Sequence, residues 1–293
     1  MSKNVIVRPV FNRPEMLKLS LDYEIAAREH YMLEGGFVTV FVVEHGTTPK
    51  VIELIEEYPY EKLFLVRKQR FGLSANILEG MKASFGEADD YVIYIEDDVL
   101  LHKAYFQYVD EVLKLEEKFS LVSAYTPSDT KDVNGIYRGH HYAALSPCIS
   151  KHFFKTYVEP CACDKFYRSP AQFCVSLNNN YKDYWESKRY KYKDSQHHQQ
   201  AGLINRLVDV AMIEEGLHVA MPHVNRHQHI GFYGFNRPGK GIPGANYEER
   251  LENLKDIITD ADKLYAATNA KMYNDYRTFS PLLDGWDGTI KVR

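Results

Sequence analysis

Three adjacent acids, Glu96-Asp97-Asp98, are the residues best placed to do chemistry in this 293-residue chain. They follow an apolar run at residues 91–95 (YVIYI) and precede Val99-Leu100-Leu101, so they interrupt a path that otherwise reads as buried. Neighbouring carboxylates repel unless water or a cation screens them. Mg2+ or Mn2+ takes hard oxygen ligands and typically uses one or two carboxylates together with substrate phosphates. A bare E-D-D also suits a solvated acidic turn, but its place between apolar runs favours the cation. A second group, Asp194-Ser195-Gln196-His197-His198-Gln199-Gln200, puts an acid, two imidazoles and amides at the start of a helical pattern. A third is the histidine-rich run 223–229, within a segment, 223–244, that holds five glycines. The cysteines carry less. Cys161 and Cys163 are not spaced C-x₂-C and no second pair follows, so Cys148, Cys161, Cys163 and Cys174 read as free thiols rather than a zinc site. Residues 181–193 (YKDYWESKRYKYK) interleave aromatics with cations, which suits a nucleic-acid strand or a solvated helix burying its aromatic stripe.

The elements that must position these groups alternate strand and helix. Asn4–Val10, Phe37–Val43, residues 63–66, 91–95 and 120–125 are short apolar or β-branched runs, read as strands, the first two of them buried. Between them lie helical patterns at 14–31, opened by Pro14 in the first turn, and at 48–58, 72–84 and 103–118. This alternation predicts a parallel α/β sheet covered on both faces. In such sheets ligands bind at the carboxyl ends of the strands, where the three acids sit. After Thr126 the pattern turns irregular. Residues 126–147 read as turn-rich, 150–158 as a helix, and 160–195 as a long functional loop with little regular structure. Residues 199–216 read as a helix, 217–221 as a short strand, 246–268 as a charged amphipathic helix, and the last 20 as an ordered tail or partner arm.

Several of these segments carry a resemblance. The strand YVIYI, the acids and the VLLHKAYFQYV that follows resemble the D-x-D region of GT-A fold glycosyltransferases, especially the E-D-D-L pattern of the N-acetylglucosaminyltransferase I type. Val7-Arg8-Pro9-Val10-Phe11-Asn12-Arg13-Pro14 resembles the first strand and nucleoside-holding loop of those enzymes, and Val42-Val43-Glu44-His45-Gly46 the acidic end of their second strand. Arg70-Phe71-Gly72-Leu73-Ser74-Ala75-Asn76 is similar to the N-x-G-x-x-x-A-x-N stretch of inverting, family-2-like members. Pro222-His223-Val224-Asn225-Arg226-His227-Gln228-His229-Ile230-Gly231 resembles a Q-H-I-G end motif. The ordered series spans about residues 4–235.

The resemblance implies a GT-A, Rossmann-like, mostly parallel sheet with helices on both faces and a C-terminal helical extension. Residues 1–125 would form the nucleotide-sugar half, 126–244 the acceptor half, and 245–293 the C-terminal helix and tail. It implies a glycosyltransferase that takes a nucleotide sugar, expected to be a UDP-sugar, with Mn2+ or Mg2+ on the diphosphate. By matching position, Asp98 is the first expected metal ligand, with Asp97 a weaker candidate and His229 a further metal or diphosphate contact. Pro9, Phe11, Asn12, Arg13, Glu44, Arg70, Asn76, Glu96 and Asp97 are expected around the donor. Asn12, Arg13 and Glu44 of that set, together with Arg8, would surround the nucleoside, Glu96 would touch ribose or sugar hydroxyls, and Arg70 would neutralise diphosphate. The acceptor base departs from the pattern, because no acid immediately precedes the helix. Asp194, His198 (or His197), and Gln200 (or Gln199) remain as alternatives, the amides suiting a retaining enzyme, so the stereochemical outcome stays open.

Composition bounds the partners. The chain is 45% apolar and 26% charged, enough for a core, and no run nears the ~18 apolar residues of a membrane helix. With four cysteines and no apolar leader at the N-terminus, a cytoplasmic protein of a bacterium or a phage-infected cell is expected, with no membrane partner. Net charge is −4, unevenly spread: residues 1–150 carry 16 Lys+Arg against 23 Asp+Glu, and residues 151–240 carry 13 against 8 together with seven of the 12 histidines. The basic segment could face an anionic acceptor, such as DNA with a hydroxylated base; a glycan is the other acceptor class. The 246–268 helix could pack on its own domain or form a homodimer contact. The rival functions are a nucleotidyltransferase, disfavoured because residues 9–15 hold no glycine for a phosphate loop, and a non-catalytic glycan- or nucleic-acid-binding module.

Overall fold

The computed structural model describes residues 4–31, 37–70, 72–117, 119–126, 130–139, 145–180, 207–208, 210–211, 214–229 and 279–293. The first half follows the expected alternation: β1 (Asn4–Val10), α1 (Pro14–Tyr31), β2 (Phe37–Val43), α2 (Pro49–Glu56), β3 (Lys62–Val66), α3 (Leu73–Glu87) and β4 (Tyr91–Tyr94). These strands are parallel and in register, with Val10 beside Val43, and Val7 beside Tyr94. Their carboxyl ends therefore open on one edge of the sheet, which is where the acids emerge from β4.

Side chains alternate across β1 and β2, as period-2 geometry requires. Val5, Val7, Val40 and Val42 face one cluster with Leu78, Met81 and Phe85 of α3. Ile6 and Phe37 face the other side with Ala27 of α1, and Val10, Phe41 and Val43 pack there against Leu17, Leu21, Val51 and Ile55. Helices thus cover both faces. Helix α3 crosses the strands very closely at Gly80, where an added Cβ would lie 2.4 Å from Val42 Cγ2 and 3.0 Å from Val7 Cγ2.

Beyond the acids the structure departs from the sequence expectation. Val99–Leu101 forms a strand, β5, followed by α4 (Tyr105–Leu113), shorter than the expected 103–118, and β6 (Leu121–Val122), a remnant of the expected 120–125. The irregular stretch contains β7 (Gly135–Gly139) and ends in β8 (Cys148–Ser150). Ser150 caps the next helical stretch, its hydroxyl accepting from Phe153 N, and α5 (Lys151–Phe153) continues through a π turn (Phe154–Val158) and a 3₁₀ turn (Glu159–Cys161). The stretch 160–195 is not the loop expected, since α6 (Asp164–Arg168) and α7 (Pro170–Asn180) occupy its first part. Phe166 and Cys174 are buried, with Phe173 and Leu177 packed beside them, so a sparse apolar stripe meeting the core overrides the polar composition. Strands β9 (Val219–Pro222), β10 (His227–His229) and β11 (Lys291–Val292) complete the chain.

Among the described residues, nine strands form one sheet in the order β11-β7-β9-β6-β8-β4-β1-β2-β3. Strand β8 runs antiparallel to β4 and β6, β7 runs antiparallel to β9, and β11 runs parallel to β7. The sheet is therefore mostly parallel rather than wholly so, a GT-A-like, Rossmann-type arrangement. The last residues join this sheet instead of trailing as a tail, while the 246–268 helix lies outside the described residues. Strands β5 and β10 pair antiparallel in a separate two-stranded ribbon. No described helix is long and apolar enough to cross a membrane.

Close packing at Gly80 gives a first prediction. Gly80→Ala gains helix propensity, but its methyl overlaps two β-branched side chains of the central strands. Overpacking should prevail, with a net loss of about 1–2 kcal/mol in a urea unfolding titration.

Candidate functional site

The site is built from loops at the carboxyl ends of three neighbouring strands and from one strand that returns late in the chain. Ile95 N donates to Val7 O, which seats the start of the acid loop against β1. After β1 the chain turns through Phe11, Asn12 and Arg13 into α1. After β2 it turns through Glu44, with Glu44 N donating to Val10 O and Thr48 N to Phe11 O. Glu44 is buried, and its carboxylate accepts from His45 N at 2.8 Å and from Gly72 N at 2.9 Å. Gly72 has φ +80°, a left-handed conformation that glycine adopts without strain, and this presents its N–H to Glu44 at the start of α3. Arg70 lies over the Phe11 ring at 5.1 Å. Asn76, in the first turns of α3, is buried with its Oδ1 unpartnered. Pro9 is buried inside β1 and Asn12 is half-buried.

Arg13 reaches across to the acids. Its Nε donates to Asp97 Oδ2 at 3.0 Å, its Nη2 donates to Asp97 Oδ1, and its Nη1 donates to Asp98 Oδ2 at 2.6 Å. From the other side, β10 pairs with β5 so that His229 lies opposite Val99, and His229 Nε2 stands 3.4 Å from Asp98 Oδ2. Tyr94 OH donates to Glu96 Oε1 at 2.9 Å.

The acids titrate apart because their partners differ. Burial pushes Glu96 up to about 8, aided by the charge of Asp98. Burial also raises Asp97, against the pull of Arg13. For Asp98 burial again favours the neutral acid, but Arg13 and His229 outweigh it and hold the carboxyl well below the usual range. His229 is raised: burial opposes its charge and Asp98 more than compensates. Arg13 is likewise raised, with Asp97 and Asp98 overcoming the cost of burial.

Ligand atoms of Glu96, Asp98 and His229 all lie within 4.8 Å of one another. Asp98 Oδ1 is buried and has no hydrogen-bond partner. Two carboxylates and an imidazole around an orphaned carboxylate oxygen fit a divalent cation such as Mn2+ or Mg2+. The expected pair Asp98 and His229 is thus brought together, with Glu96 rather than Asp97 as the third member: Arg13 takes both carboxylate oxygens of Asp97 but only Oδ2 of Asp98. Asp194, His198 and Gln200, together with residues 181–193, lie outside the described residues.

A supporting layer escaped the sequence reading. Arg8, expected at the nucleoside, is instead fully buried on the α1 side of the sheet, where its Nη1 meets Glu24 Oε2 at 2.7 Å. Its Nη2 also donates to Ser20 Oγ and reaches Glu96 O at 3.5 Å, while Ser20 Oγ donates to Val99 O at 2.5 Å. The two ends of the acid loop are therefore tied to α1 from below. Glu24 further accepts from Arg28 and Tyr58, and Arg28 donates to Thr39. Breaking one partner of such a buried pair costs about 3–5 kcal/mol. The available signals were an arginine inside an apolar strand and polar residues at 20, 24 and 28, one stripe of α1.

The raised Glu96 pKa has a sign that can be checked in the protein without added divalent ion. An acid whose folded pKa lies above its unfolded value near 4.5 binds a proton in the fold that the unfolded chain has released. Its contribution is complete below about 4.5 and is lost as pH rises towards 8. Glu96→Gln, always neutral, should match the wild type in melting temperature at pH 5 and exceed it at pH 8.

No curated protein matches the chain. Among solved structures, mannosyltransferase PcManGT from Pyrobaculum calidifontis, in complex with GDP-Man and Mn2+, is 10% identical, with 97% of this chain and 78% of that one covered and a TM-score of 0.43. Glucosyl-3-phosphoglycerate synthase from Mycobacterium tuberculosis, in complex with Mn2+, UDP and glucosyl-3-phosphoglycerate, is 12% identical over 91% of this chain and 80% of that one, with a TM-score of 0.41. The inositol-1-phosphate CTP transferase from T. maritima is 10% identical over 87% and 98%, with a TM-score of 0.40. Likenesses this distant carry no argument about substrate. The sequence profile of the glycosyl transferase family 2, in contrast, matches residues 5–168, from β1 through the acid loop to α6, more than half of the chain. The chain belongs to glycosyl transferase family 2 and is a GT-A glycosyltransferase.

Proposed function

We propose that the protein is a metal-dependent transferase that moves a sugar from a nucleotide sugar, a UDP-sugar, to a hydroxyl acceptor. The observation that carries this reading is the convergence of Glu96, Asp98 and His229 around the unpartnered Asp98 Oδ1, at the carboxyl edge of the family-2 sheet. Glu96, Asp98 and His229 would hold Mn2+ or Mg2+, which would supply the positive charge that a departing nucleoside diphosphate needs. Arg13 fixes Asp97 and Asp98 in orientation and, with His229, holds Asp98 as the carboxylate. We assign Pro9, Phe11, Asn12, Glu44 and Asn76, at or near the ends of β1 and β2 and in α3, to the nucleoside side of the site, together with Asp97. Arg70, exposed above Phe11, supplies a cation for the diphosphate.

In the transfer, the acceptor oxygen bonds to the anomeric carbon as the bond from that carbon to the diphosphate oxygen breaks, and the electron pair leaves on the nucleoside diphosphate. The acceptor proton passes to a base, Asp194 or His198, in an inverting reaction. Gln200 beside the anomeric carbon would instead serve a retaining one. The excess of cations over residues 151–240 supports a polyanionic acceptor such as DNA with a hydroxylated base, and a glycan is the competing class. We place the enzyme in the cytoplasm, with residues 1–125 as the donor half, 126–244 as the acceptor half, and the 246–268 helix as a homodimer contact.

Two measurements test this reading. In a donor-hydrolysis panel of UDP-, GDP- and CMP-sugars with Mn2+ or Mg2+, release of UDP should depend on the cation, and Asp98→Asn should lower it at least 100-fold while the fold, by circular dichroism, is kept. Release that is unchanged by chelator or by Asp98→Asn would remove the metal-dependent mechanism. For the acceptor, filter binding to duplex DNA should weaken steeply between 50 and 200 mM salt. Absence of salt-sensitive binding leaves the glycan class as acceptor.

A further inference from the structure

Arg226 has no exposed surface and, among the described residues, no carboxylate partner. Its Nη2 donates to Val133 O at 2.5 Å, while Nε and Nη1 are unpartnered. Burial lowers its pKa only to about 10, so it remains a cation at neutral pH. What faces the charge is aromatic: the guanidinium carbon lies 5.1 Å from the Tyr108 ring centroid and 4.4 Å from that of Trp286. A desolvated guanidinium is attracted to the faces of such rings, and most strongly to tryptophan.

Trp286 belongs to the C-terminal segment 279–293, which lies far outside the family-2 match. This segment is anchored at several points. Lys103 Nζ meets Asp284 at 2.9 Å, Asn134 Nδ2 donates to Thr289 Oγ1 at 2.8 Å, β11 adds to β7, and Arg293 Nε meets Asp132 at 3.0 Å. Trp286, Ile290 and Val292 pack on the α4 side of the core. The segment is a strap across the sheet edge, and Trp286 is the ring with which it grips Arg226.

Arg226 is also the residue that launches β10. Its N donates to Ala124 O at 2.8 Å, and its O accepts from His102 N at 2.9 Å, directly after β5. Three residues on, His229 reaches Asp98. The acid loop ends in β5 and the histidine lies on β10, so the register of this short ribbon sets the gap between Asp98 and His229. Three residue pairs hold the ribbon, too few to hold a register unaided.

We propose that Trp286 is a positioning residue: by stacking on Arg226 it locks the β5–β10 ribbon and so sets His229 against Asp98 for cation binding. The inference rests on the metal reading of Glu96, Asp98 and His229. Groups that orient ligands from behind a metal site typically change affinity 10–100-fold when altered.

The test compares full-length wild type with Trp286→Leu, which keeps an apolar side chain and removes the ring face, and Trp286→Phe, which keeps a ring. Mn2+ alone is the probe, titrated by electron paramagnetic resonance, and amide hydrogen exchange at residues 99–102 and 226–229 is read in parallel. Trp286→Leu should bind Mn2+ roughly ten-fold more weakly and exchange these amides faster, with Trp286→Phe restoring most of both. A purely structural strap would lower the melting temperature of Trp286→Leu and leave Mn2+ affinity and the ribbon amides as in the wild type, and that result overturns the proposal. If the wild type itself binds no Mn2+, the metal reading fails separately; the proposal then falls with it, whatever the ribbon amides show.

Discussion

Repulsion among carboxylates at a dry sheet edge governs the organisation of this protein. Two unit charges about 4 Å apart near a protein surface interact by about 4 kcal/mol. Glu96, Asp97 and Asp98 are consecutive at the end of a buried strand, so the fold must answer that cost. It does so unequally. Asp97 and Asp98 are paired with Arg13, Asp98 is approached by His229, and Glu96 is left with a tyrosine hydroxyl and a raised pKa. The remaining imbalance is concentrated on Glu96 and on one oxygen of Asp98, where a divalent cation would sit.

The groups that answer the repulsion come from three distant stretches of chain. Arg13 follows the first strand, the acids follow the fourth, and His229 arrives after the sheet has been extended by β6, β8 and β9. The loop between them is fastened from beneath by Arg8, Ser20 and Glu24, and from the side by the β5–β10 ribbon. The family-2 match stops at residue 168, yet the imidazole facing Asp98 lies at 229. Arg13 and the acids thus lie within the family-2 match, and the imidazole that faces Asp98 lies beyond it.

Legibility in the sequence followed contact range. β1 to β4 and their helices were readable because continuous apolar strands and helical periodicity are local signals, and the carboxyl-edge rule then placed the acids. The convergence of Asp98 and His229 was readable only through motif resemblance, since no spacing rule links residues 131 positions apart. Strand β5 was missed because three residues stabilised by a distant partner carry no local pattern, and α7 because its apolar stripe is thin among asparagines. Arg8 was misplaced for a similar reason: an arginine beside a site reads as a ligand contact, and only its partner Glu24 on α1 shows that it belongs to the core. The acceptor-side residues Asp194, His198 and Gln200 rest on the sequence reading alone.

The central claim is that Glu96, Asp98 and His229 form one cation site at the donor edge. Anomalous diffraction at the manganese edge, from crystals grown with Mn2+ and UDP, tests it most directly. The account predicts a single strong peak coordinated by all three side chains and by diphosphate oxygens. A peak on other ligands, or none with UDP bound, would contradict it.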